Sequence, residues 1–176
     1  MTELAGDVRG ATVLEVGGGV GAIEIELLEA GADHATNVEL ASTYEGAARA
    51  LLAERGLAGR VDRRVGDFVA AAESIPSHDV VVMHRVVCCY PDVDALVGAG
   101  AAHAGSRMVL TYPQERRALR AAIAVVDAVM RISGSSFQVY LHPFDRIASA
   151  ANGMELLERR RSGFVWETAA FATSRR

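Results

Sequence analysis

The chain has 176 residues, is 51% hydrophobic and 6% aromatic, and carries a formal net charge of −4, which gives room for one domain with one hydrophobic core and excludes a disordered polymer. The acidic balance argues against a broad nucleic-acid or anionic-membrane surface, and no apolar run approaches the ~18 residues of a membrane span. The opening MTELAGDVRG lacks the basic-then-apolar layout of a signal peptide, so a cytoplasmic protein is expected.

Apolar runs alternate with helical patterns along the chain, the signature of an α/β fold with a largely parallel sheet. Ala11 to Val16 predicts the first strand, and Val20 to Ala30 a helix with Ile23, Leu27 and Ala30 on one face and Gly31 as its stop. Ala35 to Leu40 predicts the second strand. Ser42-Thr43-Tyr44-Glu45 has the spacing of a capping box, opening a helix that Gly56 ends. Arg60 to Val65 and Asp79 to Met83 predict the third and fourth strands, Pro91 to His103 a helix, and Arg107 to Tyr112 the fifth strand. Gln114 to Ile132 reads as an amphipathic helix, Ser133 to Ser136 as a turn, and Phe137 to Leu141 as a strand or extended loop. Pro143 begins a helix closed by Asn152-Gly153, and Met154 to Arg161 with Phe164 to Ala172 form a terminal hairpin.

All eighteen basic residues are arginine, so no lysine-dependent chemistry is available. Arg116-Arg117 and Arg159-Arg160-Arg161 read as solvated basic faces. Cys88 and Cys89 are adjacent, a pair that closes only a strained ring; they read as two buried thiols.

The strongest signal is Glu15-Val16-Gly17-Gly18-Gly19-Val20-Gly21 between the first strand and the first helix. Glycines let the backbone turn sharply and approach a ligand, while the helix N-terminus behind them offers free N–H donors. Gly17-x-Gly19-x-x-Ala22 also satisfies the looser dinucleotide fingerprint, so NAD is a rival cofactor. Glu39, eighteen residues after Gly21 at the end of the second strand, suits ribose hydroxyls in either case. Gly66-Asp67-Phe68 tips the balance: an Asp there can accept from an adenine amine while the aromatic residue lies against the ring. Asp67 as a plain turn residue is the alternative. Glu15 can reach the amino acid end of a cofactor, which a dinucleotide lacks.

These motifs, in this order, resemble those of class I S-adenosylmethionine (SAM)-dependent methyltransferases, over about Ala11 to Ala172. The resemblance implies a Rossmann-like seven-stranded sheet, mostly parallel with an antiparallel C-terminal hairpin and helices on both faces. It implies SAM as cofactor, with Gly17, Gly19 and Gly21 at the methionine moiety. Glu39 would take the ribose, Asp67 and Phe68 the adenine, and His84 and Arg85 would lie beside the sulfonium, with Glu15, Gly18 and Leu40 also among the cofactor contacts. A weaker similarity, carried by Val86-Val87-Cys88-Cys89-Tyr90-Pro91 and Tyr140-Leu141-His142, is to magnesium-protoporphyrin O-methyltransferases.

The expected organisation is one domain, 1–176, with a substrate-cap insert over 114–141; since only residues 1–11 precede the first strand, cover comes from that insert, a partner subunit or further sequence. The expected reaction is methyl transfer to a small-molecule acceptor, at oxygen or carbon rather than nitrogen. His84 and His142 are the candidate bases, because histidine as a residue type suits deprotonation of a hydroxyl near neutral pH. The histidines show no close pairing, so no metal is expected. An NAD-dependent oxidoreductase and a non-catalytic SAM-binding subunit are the alternatives. The expected partner is a small-molecule substrate, with no nucleic acid and no membrane span; a homodimer is compatible with the sequence.

Overall fold

A computed structural model describes residues 1–134 and 138–174. The strands are β1 (Thr12–Val16), β2 (His34–Glu39), β3 (Val61–Val65), β4 (His78–His84), β5 (Ala104–Pro113), β6 (Met154–Ser162) and β7 (Trp166–Thr173). The helices are α1 (Ala22–Glu29), α2 (Glu45–Glu54), α3 (Phe68–Ala71), α4 (Val93–His103), α5 (Arg117–Ile132) and α6 (Phe144–Ala150). One sheet runs in the order β3-β2-β1-β4-β5-β7-β6. Its first five strands pair in parallel, and β7 enters antiparallel between β5 and β6. The α/β architecture expected from the alternation is therefore present, with its terminal hairpin.

Alternate residues of the central strands feed two apolar layers, as the strand period of two requires. Leu14, Val81, Met83 and Leu110 pack with Val93, Leu96 and Val97 of α4 and with Phe144 and Ile147 of α6. On the opposite face Val13, Val80, Val82 and Val109 pack with Ile25, Leu27 and Leu28 of α1 and with Leu52 of α2. β1 and β4 are thus clamped on both sides, and the loops at their carboxyl ends are set on a rigid base. No helix among the described residues is long and apolar enough to cross a membrane.

Four local expectations change. Ser42 caps nothing: a 3-10 turn over Ser42–Tyr44 leads into α2 without a side-chain cap, because Glu45 accepts from Arg63 Nε at 3.0 Å instead of reaching back. The short helix α3 has no periodic signal of its own; Asp67 creates it by accepting from Val69 N at 2.8 Å. Gln114 belongs to no helix, since its Nε2 donates to the carbonyls of Gly163 and Trp166. Phe164 lies in the hairpin turn rather than in the strand. Ser135, Ser136 and Phe137 lie outside the described residues.

α5 buries only Leu119 and leaves Val125 at 64% and Ile132 at 87% exposure. A helix with so little packing owes its order to its own hydrogen bonds, which open locally far more readily than those of a core strand. Hydrogen exchange of the free protein is expected to label α5 amides orders of magnitude faster than those of β4. Protection of α5 equal to that of β4 would show that the helix is covered.

Candidate functional site

The chain leaves β1 through Gly17-Gly18-Gly19-Val20-Gly21 and enters α1. Gly17 and Gly19 have φ values of +67° and +57°, left-handed backbone that side chains with a Cβ rarely adopt. The other constraint is space. A Cβ on Gly17 would strike Val86, one on Gly18 the side chains of Asn37 and Glu15, and one on Gly21 the carboxylate of Glu24. At Gly19 no protein atom lies within 4 Å of that position. Three of the loop's glycines therefore admit the protein's own side chains, and one faces open space.

A cavity of about 520 Å³, bordered by Gly17 and Gly19, lies at the carboxyl ends of the parallel strands, within the size range of small-molecule sites. Val16, Gly17 and Val38 form its floor; Glu39, Leu40 and Tyr44 follow β2, Asp67 and Phe68 follow β3, and Arg85, Val86, Cys89 and Tyr90 follow β4. Gln138 and Tyr140 complete the wall from the far side. It lies where the chain order of the strands reverses about β1, the usual ligand position in open α/β sheets.

Glu39 ties the glycine loop to the end of β2. Gly19 N donates to its Oε2 and Ala41 N to its Oε1, both at 2.8 Å. Each carboxylate oxygen keeps further lone-pair capacity for a ligand hydroxyl. Leu40 beside it is 68% exposed, an apolar side chain standing free at the cavity edge. Asp67 is the N-cap of α3 and accepts from the Tyr90 hydroxyl at 3.1 Å. Burial, then this bond to Asp67, pushes the Tyr90 pKa up, so its proton stays in place. Phe68 is buried edge-on against His103, with ring centroids 5.6 Å apart.

Glu15 lies behind the loop rather than facing the cavity. It is 1% exposed, and its Oε2 accepts from Glu24 N at 2.8 Å, anchoring the start of α1. Glu24, also buried, accepts from Asn37 Nδ2 at 2.8 Å and from Arg63 Nη1 at 3.3 Å. The same guanidinium donates to the Gly19 carbonyl at 2.7 Å, so one arginine joins the buried Glu24 carboxylate to the loop. Burial, followed by the charge of Glu24, raises the Glu15 pKa well above the usual carboxylate range, and burial also raises that of Glu24. A protonated Glu15 fits this setting, where one guanidinium serves Glu24 and Glu45 together.

Neither candidate base reaches the cavity wall. His84 ends β4 with its Nδ1 3.2 Å from Met1 Sδ, on the side of the sheet opposite Met83, because strand residues alternate in direction. Burial and then the charge of Arg85 lower its pKa. His142 Nε2 donates to the Tyr90 carbonyl at 2.9 Å, and its ring stacks on Tyr140 at 6.0 Å. It props the segment bearing Tyr90. Arg85 does line the cavity, at a positive φ of 60°, with its guanidinium 4.8 Å from the centre of the Trp166 ring.

Tyr44, Tyr90, Tyr140 and Cys89 line the cavity without having been singled out as site residues. Cys88-Cys89-Tyr90-Pro91 stood out only as a stretch of resemblance, and nothing in its pattern distinguishes a wall from a buried turn. Cys88 is buried as expected, but Cys89 is exposed. The two sulfurs are 3.8 Å apart. The hydrogen bond from Cys88 holds the Cys89 thiol down to about 7, while the same contact and burial push Cys88 up.

No family model and no curated protein matches the chain. Solved structures do. The magnesium protoporphyrin IX methyltransferase of Synechocystis PCC 6803 with bound SAH superposes with a TM-score of 0.76 at 19% identity, over 96% of this chain and 76% of that one. An O-methyltransferase family protein from Burkholderia thailandensis gives 0.78 at 20% identity, over 98% of this chain and 54% of that one. The SAM-dependent methyltransferase SibL gives 0.71 at 21%, over 99% and 54%. These likenesses show that the chain has the class I methyltransferase fold.

The buried carboxyl group behind the loop gives the stability a pH dependence of known sign. A carboxyl whose pKa is raised on folding contributes stability below its unfolded pKa of about 4.3 and loses it as pH rises through the folded value. Glu15→Gln is therefore expected to gain on the wild type progressively as pH is raised from 5 to 8 in urea denaturation. Parallel stability curves for the two proteins would show that Glu15 is not held protonated.

Proposed function

We propose that the chain is a SAM-dependent methyltransferase acting on a small molecule, with oxygen or carbon as the acceptor atom. The observation that carries this reading is the pairing of an open Gly19 with a ligand-facing Glu39 at the mouth of one cavity in this fold. Gly19 borders that cavity and has no side chain of the described residues within 4 Å of its Cβ position, as expected of a backbone meant to lie against a ligand. Gly17 and Gly19 would take the methionine portion. Glu39 would accept from the ribose hydroxyls through its remaining lone pairs, and Leu40 and Phe68 would flank the adenine. Asp67, engaged by α3 and Tyr90, retains acceptor capacity for the exocyclic amine.

When bound, SAM supplies a methyl group on a sulfonium, and transfer leaves a neutral thioether. The chain's contribution is then chiefly alignment of the acceptor, worth several kcal/mol without acid or base. With His84 and His142 away from the cavity, a histidine base has no place in this reading. Tyr90 keeps its proton and serves as a hydrogen-bond donor, and Arg85, held on Trp166, borders the acceptor side. Gln138 and Tyr140 line the same cavity, which supports a covering role for the insert over 114–141.

S-adenosylhomocysteine and SAM are expected to raise the melting temperature, by about 2.7 kcal/mol of stabilisation at ~100 times the dissociation constant. NAD is expected to leave it unchanged; a shift with NAD alone would overturn the reading. Glu39→Gln should weaken S-adenosylhomocysteine by about 1.5–3 kcal/mol in calorimetry, the value of a hydrogen bond to a charged group. Equal affinity would remove Glu39 from the ligand contacts.

Cys89 supplies an independent check, since its thiol stands in the wall where the ligand would lie. Iodoacetamide is expected to alkylate Cys89 in the free protein and to be slowed by S-adenosylhomocysteine. An unchanged alkylation rate would place the ligand elsewhere.

A further inference from the structure

The two basic clusters, far apart in sequence, meet in the fold. A second cavity, of about 350 Å³, is lined by Gln114, Glu115, Arg116, Arg159, Arg161 and Glu167. Three guanidinium groups thus face two carboxylates. Glu115 accepts from Phe144 N at 2.7 Å and is held at α6. Glu167 accepts from Arg159 Nη2 at 2.6 Å and from the Tyr112 hydroxyl at 3.1 Å, and Arg161 Nε stands 3.6 Å from its other oxygen. Arg116 has no carboxylate partner among the described residues; its Nε donates to Gln114 Oε1 at 2.9 Å.

Two of these arginines are held by aromatic rings. Arg116 lies 4.6 Å from the Phe164 centroid and Arg159 3.6 Å from that of Phe144. Stacking fixes the guanidinium planes; Arg159 turns its edge to Glu167, whereas the two Nη groups of Arg116 have no partner among the described residues and can meet a planar or tetrahedral anion. α5, sixteen residues long, starts at this cavity with Arg116 as its N-cap, no capping side chain and no acidic residue in its first turn. Arg117 and Arg120 add positive charge to a helix end that is already positive, an arrangement unfavourable by itself. One anion placed here would answer both the excess guanidinium charge and the helix end.

We propose that this cavity binds the carboxylate or phosphate group of a small molecule, between Arg116 and Arg161. It is separate from the glycine-loop cavity, and the inference stands independently of the methyl-transfer reading. The Arg85–Trp166 stack lies between the two, because the Trp166 carbonyl is bound by Gln114 and its ring by Arg85.

The test is calorimetric titration of the full chain with inorganic phosphate and with succinate at constant ionic strength. Wild type should bind at least one of them with one site per chain. Arg116→Gln and Arg161→Gln should each weaken that binding about tenfold, the scale of a lost charge-assisted contact. Arg49→Gln, which removes an exposed arginine on α2, should leave it unchanged. Binding of only one anion supports the site and identifies its preference. Absence of binding by both, or equal affinity in all three variants, overturns the proposal. Circular dichroism melting of the same variants should match wild type and shows that they are folded, and S-adenosylhomocysteine titration of them, read separately, distinguishes failure of the anion site from failure of the cofactor reading.

Discussion

A buried ionic cluster behind the β1–α1 loop is the constraint on which the site depends. Arg63 joins Glu24 and Glu45 to the carbonyl of Gly19, and Glu15 holds the first turn of α1. Removing one partner from such a cluster leaves an uncompensated buried charge, which costs several kcal/mol. The loop is therefore fixed from behind before any ligand arrives. On its open side Glu39 grips Gly19 N and Ala41 N, so one residue is held through both its carbonyl and its amide. Preorganisation of this kind limits the ordering cost of binding.

The glycines divide in the same way. Gly18 and Gly21 make room for buried carboxylates and an amide, and Gly17 makes room for Val86. Of these four, Gly19 alone has no side chain of the described residues within 4 Å of its Cβ position, and it borders the cavity. A pattern reading that assigns all four to a ligand therefore credits the ligand with space that the protein itself fills. Asn37 Oδ1, the buried side-chain oxygen without a partner among the described residues, belongs to the same cluster. A proton on Glu15, whose side chain packs with Asn37 against Gly18, would give this pocket a donor.

Much of the fold was legible because its elements announce themselves by apolar periodicity and stop signals. β1, β4 and β5 carry short apolar runs at Val13-Leu14, Val80 to Met83 and Met108 to Leu110, Gly31 and Gly56 end their helices, and the hairpin follows from Ser162-Gly163. Side-chain engagement was not legible. Ser42 with Glu45 has the spacing of a cap, but only the fold reveals that Arg63 takes the Glu45 carboxylate. Glu15 precedes the glycines by two residues, which is compatible with facing a ligand or lying beneath the loop. His84 fell on the wrong side because one residue of strand register reverses the face. Tyr90 and Cys89 were hidden by their position after β4, where irregular backbone carries no periodicity to read. The meeting of Arg116 with Arg159 and Arg161 depends on the β5–β7–β6 pairing, which no local pattern encodes.

Binding of an S-adenosyl compound in the cavity beside Gly19 is tested most directly by amide chemical shifts on titration of the isotopically labelled protein with S-adenosylhomocysteine. The largest shifts are expected at Gly17, Gly19, Leu40, Asp67 and Phe68, with saturation at one ligand per chain. Shifts confined to other segments, or none at millimolar ligand, would contradict it.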